Sequence, residues 1–296
     1  TPVYNKRERL LERNFKSVRN QTCQDIEHII IDDGSDEDVK SVAEEYKKSV
    51  SYPVIFIRKQ NGGVHTARNK GLEFVRGKFL LFLDSDDEIM PDAVEWYLNQ
   101  WKNLDLNKYW CVRSRVKTEM GKFVGKPYPD SINRMKRNKA VKTDMNLHAE
   151  KYHMINMKLF QNVRWPECYG VTYVMEGLIW GKMDKKYLTY YSNYVTRIGY
   201  SYDKDKQTNT KKTYQAIKNR YFSYYYFLKH HNEYIKTWKT SFRNCFFYRA
   251  GLFETDKDFK KEAGTKIPGF MDNILSVLLS VPAFMYSKLE KKEYGD

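Results

Sequence analysis

The first hundred residues alternate short β-branched runs with helix-spaced segments, and the runs end in clusters of polar residues. Thr1 to Tyr4 reads as the end of a strand, and Ile26 to Ile31, Val54 to Ile57 and Lys78 to Leu83 as three more. Between them, Arg7 to Gln21 places Leu10, Leu11, Phe15 and Val18 at helical spacing, and Asp36 to Lys48 does the same with Val39, Val42, Ala43 and Tyr46. Asn61-Gly62-Gly63 breaks the chain before a helix to Val75, and Pro91 opens another through Trp101, since proline suits a first helical turn. Strands separated by helices of this length build βαβ units around a largely parallel sheet. Ligands of such sheets lie beyond the carboxyl ends of the strands. Asp32-Asp33-Gly34-Ser35, Asn61-Gly62-Gly63 and Asp84-Ser85-Asp86-Asp87 all fall there.

After Leu104 this rhythm fades. Tyr109 to Val116 and Lys122 to Val124 read as strands, and Lys126 to Asp144 as a polar, basic loop or lid. Val171 to Met183 reads as a helix, Tyr187–Tyr191 and Tyr194–Tyr200 as aromatic strands, and Thr210 to Phe253 as helical. There is no internal repeat and no low-complexity segment.

The formal net charge is +15, with aromatic residues at 16% of 296 positions. That charge is unevenly placed. Residues 1–100 carry 15 Lys and Arg against 18 Asp and Glu, and the remainder carries 37 against 19. A basic, aromatic surface suits nucleic acid or an anionic membrane. No recognisable RNA- or DNA-binding motif accompanies it, so a nucleic-acid partner is not expected. The longest apolar stretch, Ile274 to Tyr286, is shorter than the roughly 20 residues of a spanning helix and is interrupted by Pro282. It reads either as an interface-lying helix ahead of Lys288, Lys291 and Lys292, or as a helix packed on the protein's own core. Cys23, Cys111, Cys168 and Cys245 lie far apart without zinc spacing, as reduced thiols of a cytoplasmic protein do.

Asp84 and Asp86 stand two apart in an extended segment, where both carboxylates can reach one divalent cation and a sugar ring. Hard oxygen ligands suit Mg²⁺ or Mn²⁺, which bridge phosphate oxygens. The alternative is a solvated acidic turn capping the Pro91 helix. Asp33 can accept hydrogen bonds from a base N–H or a ribose hydroxyl, or simply form a turn with Gly34-Ser35. Paired Gly62 and Gly63 allow close backbone approach to a ligand, and Arg68 can pair with a diphosphate. His65 reads as a polar helix residue rather than a ligand.

Taken in order, TPVYN, IIIDDGS, NGGVHTARNKG and FLLFLDSDDEIMP resemble the family-2 glycosyltransferases of the GT-A fold. The resemblance covers about residues 1–100. It implies an α/β fold of Rossmann-like type, with a mostly parallel sheet flanked by helices and, here, a C-terminal helical extension. It divides the chain into a nucleotide-sugar-binding half over 1–103, an acceptor-binding half over 104–205 and a basic, aromatic extension over 206–296. It implies that Pro2, Tyr4, Asp33, Gly62 and Arg68 hold the nucleotide, that Asp84 and Ser85 contact ribose or sugar, and that Asp86 ligates Mn²⁺ or Mg²⁺. Asp87 either assists or caps the next helix.

The same resemblance implies inverting transfer of a sugar from a nucleotide-sugar donor, UDP-linked, to a saccharide or lipid-diphosphate-linked acceptor in bacterial capsule or O-antigen assembly. The enzyme would then sit peripherally at the inner face of the plasma membrane. The family's base usually lies in a Glu-Asp pair at a helix start. Here the pair reads Glu176-Gly177, behind Arg164-Trp165-Pro166-Glu167. Glu176 is the expected base, with Asp184 and Glu167 as alternatives. The missing aspartate keeps open a second reading, a non-catalytic transferase-like binding protein at the membrane.

Overall fold

The computed structural model describes residues 1–5, 10–128, 150–200, 214–234, 238–263, 277–280 and 282–286. The chain forms two compact units, one of residues 1–163 with 186–204 and one of residues 164–185 with 205–296.

In the first unit, β1 (Pro2–Val3), β2 (His28–Asp32) and β3 (Val54–Arg58) form a wholly parallel sheet in that order. A π-helical stretch, Leu10–Phe15, runs into α1 (Lys16–Arg19) where a continuous α-helix was expected. Helix α2 (Val39–Lys48) follows β2. The Asp38 side chain caps it by accepting from Ser41 N at 3.0 Å, and Val39, Val42, Ala43 and Tyr46 face the core. Tyr46 stacks on Phe15 with ring centroids 4.1 Å apart. Helix α3 (Val64–Leu72) follows β3, and α4 (Ala93–Trp101) comes after the acidic turn.

A second, five-stranded sheet holds β4 (Phe79–Leu81), β5 (Glu88–Ile89), β6 (Tyr109–Thr118), β7 (Tyr152–Asn156) and β8 (Leu188–Gly199), in the order β4-β7-β6-β8-β5. Only the β6–β8 pairing is parallel. Strand β4 therefore leaves the parallel set that its place in the βαβ rhythm suggested, because its described partner is the distant β7. The two aromatic strands expected between Tyr187 and Tyr200 are one strand, β8, and its pairing to β6 absorbs the irregularity as register shifts. The second sheet brackets the acidic turn, with β4 entering it and β5 leaving it. Of the expected lid, residues 129–144 lie outside the described residues.

The second unit contains α6 (Gly177–Lys186) up to Lys185, then α7 (Tyr214–Lys229), α8 (Trp238–Glu254) and α9 (Lys257–Ala263); α5 (Met157–Phe160) belongs to the first. The helical stretch expected from Thr210 to Phe253 holds two helices among its described residues, with a 3₁₀ turn at His231–Glu233 after the first. The helix expected from Val171 begins only at Gly177. Tyr221 and Tyr248 stack across α7 and α8 at 5.6 Å. Gly251 permits that approach, since a Cβ there would lie 2.8 Å from the Tyr221 side chain.

Candidate active site

Three loops of the first unit meet where β1, β2 and β3 end. Asp33 N donates to Val3 O at 2.8 Å, which extends the β1–β2 ladder into the DDGS turn. Asn5, the residue after Tyr4, donates its backbone N–H to Ser35 Oγ at 3.0 Å and accepts from Asp36 N at 2.8 Å. The buried Asp32 carboxylate accepts from Ser35 N at 2.9 Å and pairs with Arg58 at 3.2 Å. Asp33 reaches the next loop. Its Oδ1 accepts from Lys59 Nζ at 2.6 Å and Gly62 N at 3.1 Å, and its Oδ2 from Gly63 N at 2.7 Å. Asp33 and Gly62 are therefore direct partners. A carboxylate oxygen can accept more than one hydrogen bond, so Oδ2 retains capacity beyond Gly63. Tyr4 stands exposed beside this cluster, and Pro2 is half-buried.

The acidic turn is gripped by basic side chains from three parts of the chain. Arg68, buried on α3, donates to Asp84 Oδ1 at 2.8 Å. Arg13 donates to the Asp86 carbonyl at 3.1 Å, and Asn14 to the Asp84 carbonyl at 3.1 Å, both from the π-helical stretch. A wide helical turn of this kind often marks a functional region. Arg197 of β8 pairs with Asp87 at 2.9 Å, and both are buried. Arg13 also lies over the Tyr200 ring at 4.0 Å. Ser85 is buried within the turn, which closes with Asp87 N donating to Asp84 O at 3.0 Å.

The two carboxylates of the motif are thereby set to different tasks. Burial works to raise the Asp84 pKa, but the charges of Arg68 and Arg197 outweigh it and hold this carboxyl below its ordinary value. Asp84 is thus an ionised carboxylate already committed to a guanidinium. The half-buried Asp86 carboxylate makes no hydrogen bond or ion pair among the described residues. No group of three or more His, Cys, Asp or Glu side chains that could hold a metal occurs among those residues. Asp86 is thus the carboxylate of this turn that could offer an oxygen to a hard divalent cation, of the kind that takes its other ligands from phosphate and water.

Residues 1–164 match the model of glycosyl transferase family 2, more than half of the chain. The chain belongs to that family. The protein named EpsH in Bacillus subtilis (strain 168) is 44% identical over 96 residues, covering 32% of this family-2 chain and 27% of that protein. The GalNAc(5)-diNAcBac-PP-undecaprenol beta-1,3-glucosyltransferase of Campylobacter jejuni is 37% identical over 94 residues, 31% of this chain and 30% of that one. These matches span under a third of the relatives' own length. Among solved structures, S. aureus TarS 1-349 in complex with UDP-GlcNAc superposes with a TM-score of 0.60 at 15% identity, covering 99% of this chain and 90% of that one. That likeness is one of fold, the α/β GT-A type.

Glu176 lies in the second unit, immediately before α6, where its Oε2 accepts from Trp180 Nε1 at 3.3 Å. Of the alternatives, Asp184 is buried in α6 and Glu167 is exposed. His65 is fully buried on α3. A largely apolar cavity of about 630 Å³ opens between β2 and β4. Arg68 and Pro2 line it, but Asp33, Asp84 and Asp86 do not, so it is distinct from the polar cluster. Sequence reasoning missed Arg13, Asn14, Lys59 and Arg197. Lys59, three residues before the glycine pair, was within reach of it, whereas nothing near Arg13 or Arg197 in the chain signals contact with residues 84–87.

Proposed function

We propose that this protein is an inverting glycosyltransferase that moves a sugar from a UDP-linked donor to a saccharide or lipid-diphosphate-linked acceptor in bacterial surface-polysaccharide assembly. The observation that carries the reading is the acidic turn, where Asp84 is neutralised by Arg68 while the Asp86 carboxylate makes no hydrogen bond or ion pair among the described residues. The UDP-GlcNAc bound by TarS supports the donor class, and the undecaprenol-linked substrate in the Campylobacter relative's name supports the acceptor class.

In this reading residues 1–103 bind the donor, 104–205 shape the acceptor side and 206–296 hold the chain at the membrane. Tyr4 and the remaining acceptor capacity of Asp33 meet the nucleotide, Pro2 and Gly62 shape its seat, and Asp84 and Ser85 orient the ribose or sugar. Arg68 fixes Asp84 and adds positive charge beside the departing diphosphate. Asp86 would hold Mn²⁺ or Mg²⁺, which when bound neutralises charge developing on that leaving group. Glu176 takes the proton of the acceptor hydroxyl as its oxygen attacks the anomeric carbon. The new C–O bond forms on one face while the bond to the diphosphate breaks on the other with its electron pair, giving inversion. The enzyme acts peripherally at the inner membrane face.

Gly177, standing where an aspartate is usual, favours the second reading of a non-catalytic binding protein. One assay separates the two. Purified protein with Mn²⁺ and a panel of nucleotide sugars should hydrolyse or transfer from one donor, and Asp86→Ala should abolish that turnover while leaving thermal unfolding unchanged. Undiminished turnover in Asp86→Ala removes the metal assignment, and no turnover with a donor that binds removes the enzymatic reading.

A further inference from the structure

We propose that the outer face of the C-terminal helical turns, formed by Val277, Leu278, Phe284 and Met285, is the element that seats this chain on an anionic lipid surface. The proposal rests on the reading of a membrane-held transferase given above and names the contact. Residues 277–280 form a helical turn and 282–286 are helical, and Ala283 N donates to Leu279 O at 3.0 Å, the four-residue step of an α-helix. The inward face is spent on the unit's own core. Leu279 and Ala283, four apart, are buried, and Tyr286 meets Phe246 of α8 at 5.5 Å; the exposed Phe284 touches α8 only at the surface, through Phe253 at 5.2 Å.

The outward face is apolar as well. Val277 is 61% exposed, Leu278 70%, Phe284 42% and Met285 62%. Steps of seven from Val277 to Phe284 and from Leu278 to Met285 put all four on one stripe, opposite the buried pair. A surface helix serving only its own fold turns polar residues outward. Here no charged residue occurs from Asn273 to Ser287. Phe253, itself 41% exposed, extends the stripe onto α8. A contiguous patch of this kind marks a docking surface.

Charge selects the occupant. Residues 205–296 carry 17 Lys and Arg against 10 Asp and Glu. The sequence of α8 holds three cations, Lys239, Arg243 and Arg249, and a single acid, the buried Glu254, which is paired to Arg220 at 3.1 Å. An apolar face with a basic surround is what a lipid boundary takes, since side chains enter the acyl edge while cations meet anionic headgroups. Among the described residues no helix is long and apolar enough to cross a membrane, so the contact lies along the surface.

The test is flotation of the full chain on phosphatidylcholine vesicles with and without phosphatidylglycerol, at low and high salt. The wild type should float with the anionic vesicles and release with salt. Leu278→Asp with Phe284→Asp should weaken binding by about tenfold or more, with the donor-induced thermal shift unchanged. Should that variant not fold, Leu278→Gln with Met285→Gln asks the same question with less strain. Variants that float like the wild type overturn the assignment of this face. A wild type that never floats overturns it together with peripheral association, yet leaves the transferase reading to its own donor assay. A wild-type dimer made monomeric by these substitutions makes the occupant a second copy and overturns the lipid contact.

Discussion

Replacing Arg197 by Met should cost about 3–5 kcal/mol of folding stability, because it strands a carboxylate in the interior. The arginine sits on β8 with its guanidinium 2.9 Å from Asp87, and both side chains are almost inaccessible to solvent. It also reaches Glu150 and lies 5.3 Å over the Tyr152 ring. Burial works against its charge, but Asp87, Glu150 and Asp84 together raise its pKa above the ordinary value. Methionine keeps most of the stem volume, so the loss is electrostatic rather than a cavity. Glu150 is largely exposed and rehydrates on losing its partner, so the cost concentrates on Asp87. Urea unfolding of Arg197→Met, Asp87→Leu and the double variant forms the cycle. The double variant removes both charges and should lose less than the sum of the singles by about 1 kcal/mol or more. An Arg197→Met loss under about 1 kcal/mol, or strictly additive singles, would refute the claim that this pair pins the acidic turn.

Four further outcomes follow from the same geometry. Glu176→Gln should lower turnover by about 10²–10⁴ while sparing donor binding; normal transfer would place the base elsewhere. A Cβ at Gly177 meets nothing within 4 Å, so Gly177→Asp should fold normally and supplies a carboxylate to test for rescue of Glu176→Gln. Arg68→Met should show a stability loss that depends on pH. The Asp84 pKa is depressed in the folded state, so its contribution is present above the unfolded value of about 3.9 and is lost as pH falls through the folded one. The gap between wild type and variant should therefore be widest near neutrality and narrow on acidification, as followed by thermal unfolding across pH; a gap of constant size would show that packing, not charge, is at stake. Gly34→Ala should cost about 1–3 kcal/mol, since its φ is +76° and a Cβ would lie 2.8 Å from Asn61 N. An unchanged melting temperature would mean the DDGS and NGG loops are not locked together there.

The sheet of β1 to β3 and the helices between its strands were legible because their signals are local. The β-branched run Ile29-Ile30-Ile31 and the Val39/Val42/Ala43/Tyr46 spacing report burial within a dozen residues of chain. The later elements were less so. The bulged β8 read as two strands, and α7 and α8 as a helical stretch with no break located, because aromatic, basic sequence carries no turn signal until packing selects one. Within the site, Arg68 and Asp84 were named for a ligand and turn out to bind each other, a contact over 16 residues. Asn14 meets Asp84 over 70 residues and Arg13 meets Asp86 over 73, distances at which no periodicity carries information.

By itself the sequence determined the local chemistry: strand ends rich in Asp and Gly, a pair of acids two apart, and an arginine one turn into the following helix. Those follow from residue type and near spacing, which short-range sterics and hydrogen bonding convert directly into strands, turns and helices. Tertiary structure alone decided how the acids divide their work. Asp84 is committed because α3 delivers Arg68 to it, Asp87 because β8 delivers Arg197, and among the described residues the Asp86 carboxylate is left unengaged, because the arginine that approaches it takes its carbonyl instead. Coulombic pairing acts through space, so which carboxylate is neutralised depends on the pairing of strands far apart in the chain and not on the order of the residues themselves.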